Sequence, residues 1–277
     1  ISMKPSKRTL CILLYLALLG GASSVLALPD TGSLLKTENC PAGRPLPADT
    51  DPKLIASLYS LRDSVYMNEA PELIESRATA IIKTLESPSA SFLEEIDRLL
   101  LLSRAEFLTG RAFNEAGLKE KAIPRFEAAV EYAKKAMAAG EHTPGIMARI
   151  RSLSELCLLK GMGFLLSNGP LIPRYTRQIL DKEPSHRAAA ILFASSKAYP
   201  SGIFGGNPKE AIAVLEKLVA EHPEGFEKDE LFDLRACFGT AYAKLGDKAK
   251  AALWFRAALE LYPGNRYAGS ELERIGG

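Results

Sequence analysis

Metal or nucleophilic chemistry in this chain would have to be built on His142, His186 and His222, or on Cys40, Cys157 and Cys237. No histidine has a second His or Cys at metal-ligand spacing, and all three fall near the ends of helical patterns. Cys157 and Cys237 lie in stretches rich in Leu, Ala and Phe, where a thiol acts as a small hydrophobe. Gly202 to Gly206 is rich in glycine but lacks phosphate-loop spacing and a following Lys-Ser/Thr. No Gly-x-Ser-x-Gly elbow occurs. The carboxylates read as structural: Glu94 with Arg98 and Glu131 with Lys135 have the i,i+4 spacing of a solvated helix face. These residues predict no catalytic group, no metal ligand set and no cofactor.

The elements that carry them begin after residue 27. Lys4, Lys7 and Arg8 precede the apolar run Leu10 to Leu19, and Val25-Leu26-Ala27 has the small-residue form of a cleavage site. Residues 1–27 therefore read as a secretory signal peptide, with a retained membrane anchor as the alternative. Cys11 follows Arg8-Thr9-Leu10, which is not a bacterial lipoprotein box, so no lipid anchor is expected. Removing the segment takes away three basic residues and no acidic one, so the formal charge falls from +2 to −1. Such a balance gives no electrostatic reason to expect a nucleic-acid partner. An odd number of widely spaced cysteines forms no disulfide framework, and the chain has no Asn-x-Ser/Thr acceptor. The missing acceptor favours a bacterial periplasmic or secreted protein over a eukaryotic secretory route. No later segment reaches membrane-spanning length without charges, so no membrane span is expected after cleavage.

Residues 28–51 hold four prolines and no helical period and read as a flexible leader. From residue 52 to 277 the apolar spacing is that of helices. Asp51-Pro52 caps the first, and the second runs from about Glu69 to Glu86. Helices from about Ser91 to Glu115 and onward to Ala139 make the next hairpin, whose Leu99 to Leu102 run must be buried almost all round. Ile146 to Leu166 reads as one long helix, returning through Asn168-Gly169-Pro170 to Leu171–Asp181. Ser185 and Asn207-Pro208 start the two helices of the fourth hairpin. The last spans Asp229 to Asn265 with its turn at Gly246-Asp247, and Tyr267 to Ile275 forms a short capping helix. Strand signals are nearly absent.

The last hairpin resembles a tetratricopeptide repeat in Gly239, Ala251, Ala258, Phe238, Tyr242, Phe255 and the closing Pro263. Gly110, Phe113, Gly117, Ala122, Phe126 and Ala129 repeat the pattern in the second hairpin. The expected fold is all-α, a right-handed solenoid of about five hairpins with a C-terminal capping helix. In that family the first helix of each hairpin lines a concave surface. Register then places Arg104, Phe107, Arg111 and Asn114 there from the second hairpin. It adds Ser154, Cys157, Gly161 and Phe164 from the third, and Asp233, Ala236, Thr240 and Ala243 from the last. The long turn around Gly202 to Gly206 adds Tyr199 and Phe204 as candidate contacts.

Pro200 to Pro208 followed by Glu210-Ala211-Ile212 is similar to exported bacterial tetratricopeptide proteins. Among them is the T-component of tripartite ATP-independent periplasmic transporters, a resemblance that covers about the last third of the chain. It implies a transporter accessory working with a periplasmic solute-binding protein. The expected function is a non-catalytic scaffold or adaptor for a protein or peptide partner. The alternatives are a small-ligand-binding helical protein and an enzyme with an unrecognised site.

Overall fold

A computed structural model describes residues 46, 48, 50–90, 93–140, 143–202, 205–222 and 225–276. Among them are twelve α-helices: α1 (Pro52–Tyr66), α2 (Pro71–Glu86), α3 (Glu95–Glu115), α4 (Lys119–Ala139), α5 (Thr143–Leu159), α6 (Met162–Asn168), α7 (Leu171–Lys182), α8 (Arg187–Ala198), α9 (Pro208–Glu221), α10 (Lys228–Lys244), α11 (Lys248–Leu261) and α12 (Arg266–Arg274). No sheet forms among the described residues, and no helix there is long and apolar enough to cross a membrane.

Local chemistry sets the helix starts. The Asp51 carboxylate accepts from the Lys53 amide at 2.9 Å, with Pro52 in the first turn. Asn207 accepts from Glu210 N at 3.2 Å and Asp247 from Lys250 N at 3.0 Å. Gly246 adopts φ +82°, the left-handed turn conformation that glycine takes without penalty. Glu227 and Glu230 cap α10 reciprocally.

Pairs of helices pack as hairpins because glycine admits a ring. A Cβ on Gly239 would sit 2.8 Å from the Phe255 ring, and one on Gly110 would sit 2.8 Å from Phe126. Ala251 and Ala258 are fully buried beside Phe255, and Leu99 to Leu102 are all at most 5% exposed. The expected all-α stack of helical hairpins is the observed fold. Its first helices form an inner layer in which α1 touches α3, α3 touches α5, α5 touches α8, and α8 touches α10. Then α10 returns to α1, so the layer closes on itself.

Several sequence expectations require correction. The helix expected over Ile146–Leu166 breaks: α5 ends at Leu159, and Gly161 at φ +83° turns the chain into the separate α6. Beyond the break Leu166 and Met162 stay outside, 71% and 61% exposed, while Phe164 packs inward. The cap of α8 is His186, one residue after Ser185, with Nδ1 accepting from Ala189 N at 3.2 Å. Burial pushes this imidazole below its ordinary pKa, which suits a nitrogen that must stay an acceptor. On α4, Glu131 pairs with Lys134 at 2.7 Å, three residues on, while the Lys135 ammonium lies over the Tyr132 ring. Residues 1–27 lie outside the described residues, as do Cys40, His142 and Phe204.

Candidate functional site

Closure of the inner layer is made by groups far apart in sequence. The Tyr66 hydroxyl at the end of α1 donates to both Asp233 oxygens on α10 at 3.2 Å. The Tyr66 ring stacks on Tyr262 at 4.9 Å and meets Phe232 edge-on at 5.2 Å. Asn265 Nδ2 donates to the Tyr66 carbonyl at 2.9 Å, and Tyr262 Oη donates to Asp63 at 2.9 Å. Lys228 reaches the same carboxylate at 3.2 Å. Asn68, at φ +54°, has the left-handed conformation that Asn tolerates better than most side chains. There its side chain accepts from the Arg266 amide at 2.7 Å and donates to Glu115. The C-terminal helix thus docks on the first hairpin, besides covering the last.

Behind this seam lies a buried ionic cluster. Arg62 is fully buried on α1, 2.7 Å from Asp63, 3.5 Å from Glu227 and 3.7 Å from Asp229. Arg104 on α3 bonds Asp229 at 3.1 Å. Burial alone would raise the Asp229 pKa, but Arg104, Arg62 and Arg151 outweigh it and hold the carboxyl below its usual range. Glu227 goes the other way: burial and neighbouring carboxylates push it up to about 7 despite Arg104 and Arg62.

A cavity of about 480 Å³ opens on the inner face, between α3, α5, α10 and the start of α12. Arg111 and Asn114 of α3, Glu155 of α5, Tyr199 after α8, and Asp233 of α10 all line it. The Arg111 guanidinium lies 4.5 Å over the Tyr66 ring and pairs with Glu115 at 2.9 Å. Asp233 touches the hydroxyl of that same tyrosine, yet it forms no ion pair with Arg111. Burial raises Asp233 to about 6, Arg111 opposing only part of the shift. Burial raises Glu155 as well, and its one side-chain bond among the described residues is a 3.4 Å contact from Asn114. Arg151, one turn before Glu155, makes no side-chain hydrogen bond or ion pair among the described residues. Among those residues no group of three or more His, Cys, Asp or Glu could hold a metal ion.

The candidates from sequence are distributed unevenly. Arg111, Asn114 and Tyr199 meet in the cavity, with Asp233 and Ala236 from the last hairpin. Arg104 is spent on Asp229 in the cluster behind it. Phe107 packs 5.9 Å from Phe126, and Phe164 packs against the Phe113–Leu153–Leu156 cluster with the Lys160 ammonium over its ring. Thr240 bonds the Tyr267 hydroxyl at 2.6 Å. Register in the third hairpin is displaced by one: Glu155 faces the cavity where Ser154 was expected, and Cys157 is buried. Glu155 and Arg151 left a trace in the sequence, as opposite charges one turn apart on a helix whose only other charge is Arg149. Phe232, Asn265 and Tyr267 left none that a repeat register would use.

A family model described as tetratricopeptide repeat matches residues 236–265, the body of the α10–α11 hairpin and the turn that follows it. No significant match was found to a curated protein or to a solved structure. The last hairpin is a tetratricopeptide-like module within a stack of helical hairpins.

Proposed function

We propose that this chain is a non-catalytic binding scaffold whose working surface is the inner face of its closed helical layer. One observation carries the reading: Arg111, Asn114, Glu155, Tyr199 and Asp233, from four separate hairpins, converge on one cavity. Buried charges cost stability unless paired, and a fold that needed only a core would have no reason to aim several at one space. The tetratricopeptide-like last hairpin supports a protein or peptide partner. The basic start, apolar run and Val25-Leu26-Ala27 site support export to a bacterial periplasm, with residues 28–51 as the leader to a domain over 52–277. The Pro200–Pro208 turn supports the narrower role of a transporter accessory whose partner is a periplasmic solute-binding protein.

The test is site-specific photo-crosslinking in a bacterial host secreting the full chain. A photoreactive residue at Asn114, on the inner face, is expected to yield a defined adduct in the periplasmic fraction, on protein that starts at Leu28. The same residue at Lys134, on the outer face of α4, should yield none. Adducts from Lys134 alone would overturn the reading.

A further inference from the structure

The cavity holds opposite charges apart. Tyr66 stands between Arg111 and Asp233, offering its ring face to the cation and its hydroxyl to the anion. Apart from the Glu115 pair and the Tyr66 face, Arg111 has no acceptor among the described residues, so most of its five donors are free to turn to a ligand. On the other side, Asp233 accepts from Tyr66 alone and Glu155 from Asn114 alone among those residues. Both carboxyls are pushed up by burial, which Arg111 offsets only in part. No group of three or more His, Cys, Asp or Glu among the described residues could hold a metal ion here. Phe232, Tyr199 and Tyr267 also line the cavity, beside Asn265, Arg266 and Ser270. Aromatic faces attract an organic ammonium.

The volume restricts the ligand further. About 480 Å³ lies in the lower part of the range of about 300–1,000 Å³ for small-molecule pockets.

We propose that this cavity takes a small amino-carboxylate zwitterion, an amino acid or dipeptide with both ends free. Asp233 and Glu155 face its ammonium, Arg111 faces its carboxylate, and the rings cover its body. This rests on the inner face being the binding surface, and it names the class of ligand that surface takes. An Arg guanidinium is the natural carboxylate partner because its planar fork matches the two oxygens.

Isothermal titration of the purified full chain tests it with named probes: free L-amino acids and unblocked dipeptides, against the same compounds N-acetylated or C-amidated. At least one unblocked probe is expected to bind, and blocking either end should weaken it at least tenfold. Arg111→Gln should remove the preference for a free carboxylate, and Asp233→Asn the preference for a free amine. Arg174→Gln, on the outer helix α7, should change neither. Because Asp233 also joins α10 to α1, the blocked probes supply an arm that needs no variant. Equal binding of blocked and free forms overturns the zwitterion assignment. So does an absence of binding by every probe while the Asn114 adduct persists, an outcome that leaves the scaffold reading standing.

Discussion

Tyr66 and Asp233 lie 167 residues apart and are joined by a hydrogen bond of 3.2 Å to each carboxylate oxygen. That contact ties the end of the first helix to the middle of the tenth, and its Asp233 lines the cavity together with Asn68 and Asn265 of the same seam. Closure and site are therefore the same structure seen from two sides. A repeat stack without this seam would present Arg111 and Asp233 to bulk water, where their charges would be screened and of little use for recognition.

Replacing Gly239 tests the hairpin packing. Alanine would favour the helix but place a Cβ 2.8 Å from the Phe255 ring, so the two effects oppose. Valine adds more volume with poorer helix propensity. Gly239→Val is expected to lower stability by about 1–3 kcal/mol through overpacking. Urea unfolding reads this directly, and an unchanged midpoint would contradict the α10–α11 register.

Hairpins of this kind were legible in the sequence because their logic is local. Gly239 with Phe255 and Gly110 with Phe126 fall at fixed offsets, as do the capping residues Asp51, Asn207 and Asp247. The break at Gly161 was hidden because Phe164, Leu165 and Leu166 prolong the apolar run with no proline to interrupt it. Closure was hidden for a different reason. Tyr66 with Asp233, Asp63 with Tyr262 and Asn68 with Arg266 are separated by 167 to 199 residues, and no period relates them. Part of the cavity was legible through Arg111, Asn114, Tyr199, Asp233 and Ala236. The part supplied by Glu155, Phe232 and Asn265 depends on how the two ends meet.

Arg62 tests the ionic cluster. Its guanidinium is fully buried against Asp63, Glu227 and Asp229. Arg62→Ala would take the nearest cation from Glu227 and leave Asp229 to Arg104 alone, and should cost about 3–5 kcal/mol. An Arg62→Ala, Asp229→Ala double variant should cost less than the sum of the two single changes, since the Arg62–Asp229 interaction is then counted once. A double variant whose destabilisation is the full sum of the two singles would contradict the pairing.

The raised acids give the stability a pH dependence of definite sign. Asp233 moves from an ordinary 3.8 to about 6 and Glu227 from 4.5 to about 7, both through burial. Each binds its proton more tightly folded than unfolded, so folding takes up protons across this window. Their contribution is complete below the unfolded values and is lost as pH rises through about 6 and about 7. Asp229 is shifted the opposite way, so its contribution is lost only as pH falls below the ordinary range. Urea midpoints of Asp233→Asn and Glu227→Gln should gain relative to wild type between about pH 5 and pH 8. A constant difference across that range would mean that these groups titrate normally.

The measurement that bears most directly on closure, and so on the existence of the cavity, is a double-mutant cycle between Tyr66→Phe and Asp233→Ala. Contact between the two residues predicts a coupling free energy of at least about 0.5 kcal/mol in equilibrium unfolding, as for side chains that share a hydrogen bond. Purely additive effects, with no coupling beyond error, would mean that α1 and α10 do not meet, and the enclosed site would not exist.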